Sequence, residues 1–200
     1  MNVIIPRTPW PENFPDVVVH HSIKTRNNHP DYAMAKAGDA AAQVLAVALL
    51  TDDKLDAVRR LVGASKPLVV PVAAKESGGF NAIPDAMAQV IAVKLGLPMA
   101  AYDLQQSGTV AHTRADGWHR LVTAATFTGP VTPGADYLLV DDHVGFGGTL
   151  ANLRGYLETH GGHVLGMTTL TETGGASKIT PRPATLAMLE AKHGNELEQF

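Results

Sequence analysis

Tyr137-Leu-Leu-Val-Asp-Asp-His-Val-Gly-Phe-Gly-Gly-Thr149 is the stretch that decides the fold. An apolar run of strand length ends in two adjacent carboxylates, Asp141 and Asp142. The short loop His143-Val-Gly-Phe-Gly-Gly148 then leads into a helix predicted from Thr149 to His160, with Leu150, Leu153 and Leu157 on one face. Glycines let the backbone come close to a ligand and adopt positive φ. The first amides of a helix are unpaired donors at the positive end of its dipole, which makes an anion site. Two acids directly before an anion cradle are counterproductive unless they serve other groups. Sugar hydroxyls are the natural partners, because one carboxylate accepts two hydrogen bonds from a vicinal diol. The parts together describe a ribose-5-phosphate site. The same residues also read as a plain turn whose acids are solvated and cap the helix.

Outward from this stretch the chain alternates strand and helix. Gly161-Gly162 ends the helix, and Val164–Leu170 follows as a strand. Upstream, Leu68–Ala74 and Leu97–Asp103 read as strands on either side of a helix over Pro84–Leu95. That helix has proline at its start and Gly96 just past its end. Pro71 cannot donate to a ladder, so a bulge or a site is expected near it. Further upstream, Tyr32–Leu50 is predicted as one alanine-rich helix, and Thr51 as the cap of a second bearing Leu55, Val58 and Val62. Val17–His20 is strand-like, and the tail from Thr173 is expected to pack as a flap and a final helix. Strands joined by single helices imply right-handed crossovers and a parallel sheet covered on both faces. Ligands in such sheets sit beyond the carboxyl ends of the strands. That rule selects Lys75–Asn81 and Asp141–Thr149.

The composition closes off several other classes. There is no cysteine among the 200 residues, which excludes disulfides, thiol catalysis and thiolate metal sites and suits a reducing compartment. A net charge of −3, from 16 basic and 19 acidic residues, gives no general field for nucleic acid. No apolar stretch approaches a bilayer span, and the N-terminus lacks the pattern of a signal peptide. The sequence expectation is therefore a single cytoplasmic domain over 1–200, without nucleic-acid or membrane partners.

The stretch from Tyr137 to Thr149 resembles the signature of type I phosphoribosyltransferases, enzymes that use phosphoribosyl pyrophosphate (PRPP). That signature is an apolar strand, two acids, two apolar residues, two small or hydroxylated residues, Gly, any residue, Thr. The resemblance implies that Asp141 and Asp142 hold the ribose hydroxyls. It implies that Gly145, Phe146, Gly147, Gly148 and Thr149 hold the 5-phosphate. Magnesium is implied as the cofactor, held by PRPP oxygens and water and through Asp141 or Asp142 only indirectly. Family members usually carry threonine at the Phe146 position. Glycine at position 145 cannot replace the aspartate that 6-oxopurine enzymes use there.

Lys75, Glu76, Ser77, Gly78 and Gly79 resemble the family's pyrophosphate loop. Two glycines permit close approach, and Lys75 and Ser77 are side-chain donors; the same residues also fit a plain connection. Leu104–Trp118 occupies the slot of a flexible loop that closes over PRPP, and Arg114, His119 and Arg120 are its candidate catalytic cations. The resemblance runs from Leu68 to about Thr171. It implies a type I phosphoribosyltransferase-like, Rossmann-like α/β fold: a parallel twisted sheet flanked by helices. The core is expected over about 66–172, with segments 1–65 and 173–200 forming a hood, flap or accessory helices. A homodimer and a base acceptor are implied as partners. The alternative function is a non-catalytic PRPP or nucleotide sensor. A dinucleotide binder fits less well, for want of the glycine fingerprint after the first strand.

His20, His21 and His29 raise the idea of a metal site, although spacing alone is poor evidence. Lys24, Lys36 and Asp39 lie where a hood would form, and Lys178 and Arg182 in the tail could reach a substrate anion. His143 is expected to point away from the ligand, and Ser107 and Ser177 lack a nucleophile elbow.

Overall fold

In the computed structural model, residues 8–36, 38–72, 75–76, 79–100, 104–107, 125–180 and 182–194 are described. The chain runs β1 (Val18–Val19), α1 (Ile23–Asn27), α2 (Tyr32–Ala35), α3 (Asp39–Leu49), α4 (Asp52–Val62) and β2 (Leu68–Pro71). A hairpin of β3 (Lys75–Glu76) and β4 (Gly79–Phe80) leads to α5 (Ile83–Leu95). Then come β5 (Gln105–Ser107), β6 (Thr126–Thr128), β7 (Asp136–Val144), α6 (Gly148–Thr159), β8 (His163–Glu172) and α7 (Pro183–His193).

The central sheet has four strands in the order β1-β8-β7-β2, and every pairing in it is parallel. Parallel strands need both faces covered, and the packing shows this. Leu138, Val140 and Leu170 pack with α3, α4 and α5 through Leu45, Leu49, Leu55, Val58, Met87 and Ile91. Tyr137, Leu139 and Met167 pack with Leu150, Leu153 and Leu157 of α6 and with Phe14 and Val17. The α/β class expected from the sequence is the class observed: a parallel sheet between two helical layers.

Several boundaries differ from expectation. The single helix over Tyr32–Leu50 is two, because Gly38 takes an extended conformation (φ −159°) at the start of α3, and glycine gains least from staying helical. The expected strand Leu97–Asp103 is reduced, in its described part, to one parallel bridge from Met99 to Val69. β1 belongs to the sheet itself, paired with β8. The final helix α7 forms, but none of its residues is buried. The caps agree better: Thr51 is the N-cap of α4 in extended conformation, and Gly96 ends α5 left-handed at φ 64°.

Gly162 shows how tightly the α6 layer sits. A Cβ there would lie 2.7 Å from Tyr137 Cε2 and 3.2 Å from the Leu157 carbonyl oxygen. The Tyr137 ring is buried and its hydroxyl accepts from the Thr132 amide at 2.8 Å, so the ring is held in place. Gly162→Ala is expected to cost about 2 kcal/mol and to lower Tm by about 6 °C. Thermal melting checks this, and an unchanged Tm refutes it.

Candidate functional site

Because β2 and β7 are parallel neighbours, the segments that follow them emerge at the same edge of the sheet. The β3–β4 hairpin follows β2, and Gly145–Gly147 follows β7. The topology therefore puts the two stretches expected to hold pyrophosphate and 5-phosphate side by side at the carboxyl edge. The first of them, expected as a loop, has β3 pairing with β4 through Lys75 with Phe80 and Glu76 with Gly79. Ser77 and Gly78 lie outside the described residues. So do Arg114, His119 and Arg120; the antiparallel pair β5–β6 brackets that stretch.

The acid pair is placed differently from expectation. β7 does not stop at Asp141 but continues to Val144, with His143 opposite Thr171 and Val144 opposite Glu172 on β8. Both acids thus sit inside the strand, beyond the last residue of β7 that β2 covers. They are 8% and 9% exposed, and the Asp142 amide donates to Asp141 Oδ1 at 2.8 Å.

The turn then opens into α6. Gly147 is left-handed at φ 73° as its N-cap, and the Gly147 carbonyl accepts from the Ala151 amide at 2.9 Å. Gly148 and Thr149 head the helix, where amides lack intrahelical acceptors. Phe146 stands at the tip of the turn, 84% exposed. His143 bonds along the sheet edge, Nδ1 with the Thr171 hydroxyl at 2.8 Å and Nε2 with the Thr173 hydroxyl at 2.9 Å.

Two arginines not singled out by their sequence position hold this region together. Arg26 donates from Nη1 to Thr171 Oγ1 at 2.9 Å and lies over the Tyr32 ring, tying α1 and α2 to the end of β8. Arg154, buried within α6, donates to the Thr8 and Pro9 carbonyls, each at 3.1 Å, and pairs through Nε with Glu158 at 2.9 Å. It falls at the same helical face as Leu150, Leu153 and Leu157, and an arginine in an apolar stripe was the signal available in the sequence. Of the tail cations, Lys178 pairs with Asp16 at 2.8 Å, and Arg182 is the N-cap residue of α7. Among the described residues no three His, Asp or Glu side chains cluster as a metal site. His29 instead faces Asp31 at 3.6 Å.

His20 extends β1 to the carboxyl edge, its amide donating to the Thr169 carbonyl at 3.0 Å. The Thr168 hydroxyl donates to the Val18 carbonyl, so its oxygen is left to accept from His20 Nε2 at 2.9 Å. In the neutral ring this puts the proton on Nε2 and leaves Nδ1 bare, and Nδ1 is buried without a partner. Burial foremost, then the neighbouring His21 and Lys54, pull its pKa from 6.5 down to about 4, against a smaller upward pull from Asp53. The unfolded chain takes up this proton near pH 6.5 and the folded chain only near pH 4. The stabilisation is complete above pH 6.5 and is lost as pH falls toward 4, amounting to about 3 kcal/mol. His20→Gln keeps a donor for Thr168 and is expected to flatten the stability profile between those limits. Urea unfolding at a series of pH values measures it, and an unchanged slope contradicts the assignment.

The fold and site define an α/β protein with an acidic strand end running into a glycine turn at the carboxyl edge. No family model matches the chain. It is 42% identical over 195 residues to protein TraN of Escherichia coli, covering 97% of this chain and 43% of that one. It is 38% identical over 152 residues to an uncharacterized protein of Haemophilus influenzae, covering 76% of this chain and 34% of the relative. The chain thus spans less than half the length of these curated relatives. Among solved structures it has a remote likeness to adenine phosphoribosyltransferase from Leishmania donovani. There the TM-score is 0.36 at 17% identity, over 72% of this chain and 60% of that one. No helix among the described residues is long and apolar enough to cross a membrane.

Proposed function

We propose that the carboxyl edge of the sheet binds PRPP with magnesium and that the chain transfers ribose 5-phosphate to a nitrogenous base, releasing pyrophosphate. One observation carries this reading: parallel β2 and β7 deliver a glycine-containing hairpin and an acid pair with a glycine turn to the same edge. In this reading Asp141 and Asp142 accept from the ribose hydroxyls. Amides from Gly145 to Thr149 hold the 5-phosphate, and Lys75, Glu76, Ser77, Gly78 and Gly79 face the pyrophosphate. Arg114, His119 and Arg120 supply the cations that meet the leaving group. Two carboxylates are hard oxygen donors and suit magnesium, which keeps most of its waters. The metal would supply charge neutralisation on the pyrophosphate. The chain's own residues orient the ribose and keep water from its reacting carbon.

Calorimetric titration with PRPP and magnesium is the test: saturable heat is expected, and its absence overturns the reading. The bare turn favours a second reading, a PRPP sensor without turnover. Gly145 and Phe146 offer no hydroxyl to a phosphate, and Phe146 points largely into solvent. Screening nucleobases for pyrophosphate release separates the two, since a sensor binds without releasing it.

A further inference from the structure

Arg59 pairs with Asp56, Arg154 with Glu158 and Lys178 with Asp16, so the charge of each is answered within the chain. Arg26 is different. It is half-buried, and among the described residues no carboxylate pairs with it. Neutral groups fix it instead. Its Nε and Nη2 both donate to Asn27 Oδ1, at 3.2 and 3.1 Å, and Nη1 donates to the Thr171 hydroxyl at 2.9 Å. The Tyr32 ring lies against the guanidinium, with Cζ 4.7 Å from its centroid. A half-buried charge gives up hydration. One held by neutral partners alone is preorganised for an anion that the chain does not itself provide. These bonds leave one N–H on each terminal nitrogen of Arg26, the donors that a carboxylate takes as a forked pair.

This charge lies beside the acid pair. The Thr171 hydroxyl that receives Nη1 also bonds His143 Nδ1 at 2.8 Å and donates to the Asp142 carbonyl at 3.3 Å. Thr171 is on β8, and the sheet order puts β8 on the other side of β7 from β2. The hairpin that follows β2 thus stands on one flank of the acid pair, and Arg26 on the other. A single displacement at a sugar carbon brings the attacking group to the face opposite the leaving group. With pyrophosphate on the hairpin flank, the acceptor enters from the flank of Arg26.

We propose that Arg26 is the specificity residue of the acceptor subsite and that the acceptor is a nitrogen-ring base bearing a carboxylate. The acceptor's place rests on the PRPP reading above, whereas the preference for an anion rests on Arg26 itself. In the transfer, the ring nitrogen's lone pair forms the bond to C1 as the bond from C1 to the pyrophosphate oxygen breaks. The electrons of that bond leave on pyrophosphate. A proton on the attacking nitrogen, where the base carries one, passes to water. Arg26 takes no part in these bonds; it holds the carboxylate, and with it the ring, in line with C1.

Nicotinate and orotate, each against an uncharged counterpart, nicotinamide and uracil, test this by calorimetry with and without magnesium–PRPP. At least one carboxylate is expected to bind about tenfold or more tightly than its counterpart. Arg26→Gln is expected to abolish that preference, a loss of about tenfold to a hundredfold for the acid, while PRPP keeps its affinity. Arg26→Lys keeps the charge but not the fork and is expected to fall between the two. Loss of the tie to Thr171 alone weakens acid and uncharged base alike, so their ratio separates contact from support, and thermal melting confirms that each variant is folded. The proposal is overturned if neither carboxylate is preferred, or if the preference survives Arg26→Gln, whether or not PRPP binds. It is overturned too if Arg26→Gln weakens PRPP as much as the acid. Failure of the PRPP reading shows separately, as no heat from PRPP with the carboxylate preference intact.

Discussion

Replacing Asp141 and Asp142 together by asparagine is expected to weaken magnesium–PRPP binding by at least about a hundredfold. A hydrogen bond to a charged group contributes about 1.5–3 kcal/mol, and the double variant weakens two or more of them. Asparagine has nearly the shape of aspartate. The strand bond from the Asp142 amide to residue 141 can persist through the amide oxygen, and the sheet should melt unchanged. Circular dichroism confirms the fold, and calorimetry reads the affinity. Binding that survives the double substitution removes the acid pair from the site. Because both carboxylates are almost wholly buried, the loss of affinity should depend little on salt, unlike that of a surface ion pair.

Arg154→Ala should be the most damaging single change away from that edge. The guanidinium answers two backbone carbonyls and Glu158, and it lies 4.5 Å from the Trp10 ring centroid and 5.2 Å from that of Phe14. Truncation leaves Glu158, among the described residues, with the Thr8 hydroxyl to answer its carboxylate and takes the Arg154 donors from both carbonyls. Breaking a buried pair of this kind costs about 3–5 kcal/mol, or roughly 10 °C in Tm for a chain of this size. Arg154→Lys keeps the charge but cannot fork to two carbonyls, so it should recover less than half of the loss. Thermal melting of both variants checks the order. Equal melting of alanine and lysine would mean that charge and fork contribute nothing beyond packing.

The layered α/β plan was legible because it rests on local signals. Apolar runs of strand length, Pro84 before a helix and Gly96 and Gly161 after helices all act within a few residues. The candidate site was legible for the same reason, since strand end, acids, turn and helix start are contiguous. What escaped was set by distant partners. β7 runs past Asp141 because β8 pairs with it through Glu172, and nothing near Asp141 announces that. The strand-like Val17–His20 gives no sign that it will lie against Thr168 and Thr169. Arg154 finds its acceptors at Thr8 and Pro9, across most of the chain. The break at Gly38 was visible in principle, but the alanine periodicity around it masked a residue that favours leaving the helix.

The pairing of β1 with β8 also sets a timetable for synthesis. Val18 and Val19 leave the ribosome before their partners Thr168 and Thr169, which follow about 150 residues later, on the order of 10 s at ordinary elongation rates. Arg154, the anchor for Thr8 and Pro9, arrives nearly as late. Throughout that interval Trp10, Phe14 and Val17 have no core to enter. The segment from Trp10 to Val17 is therefore an apolar stretch that waits for its seat until α6 and β8 have been made.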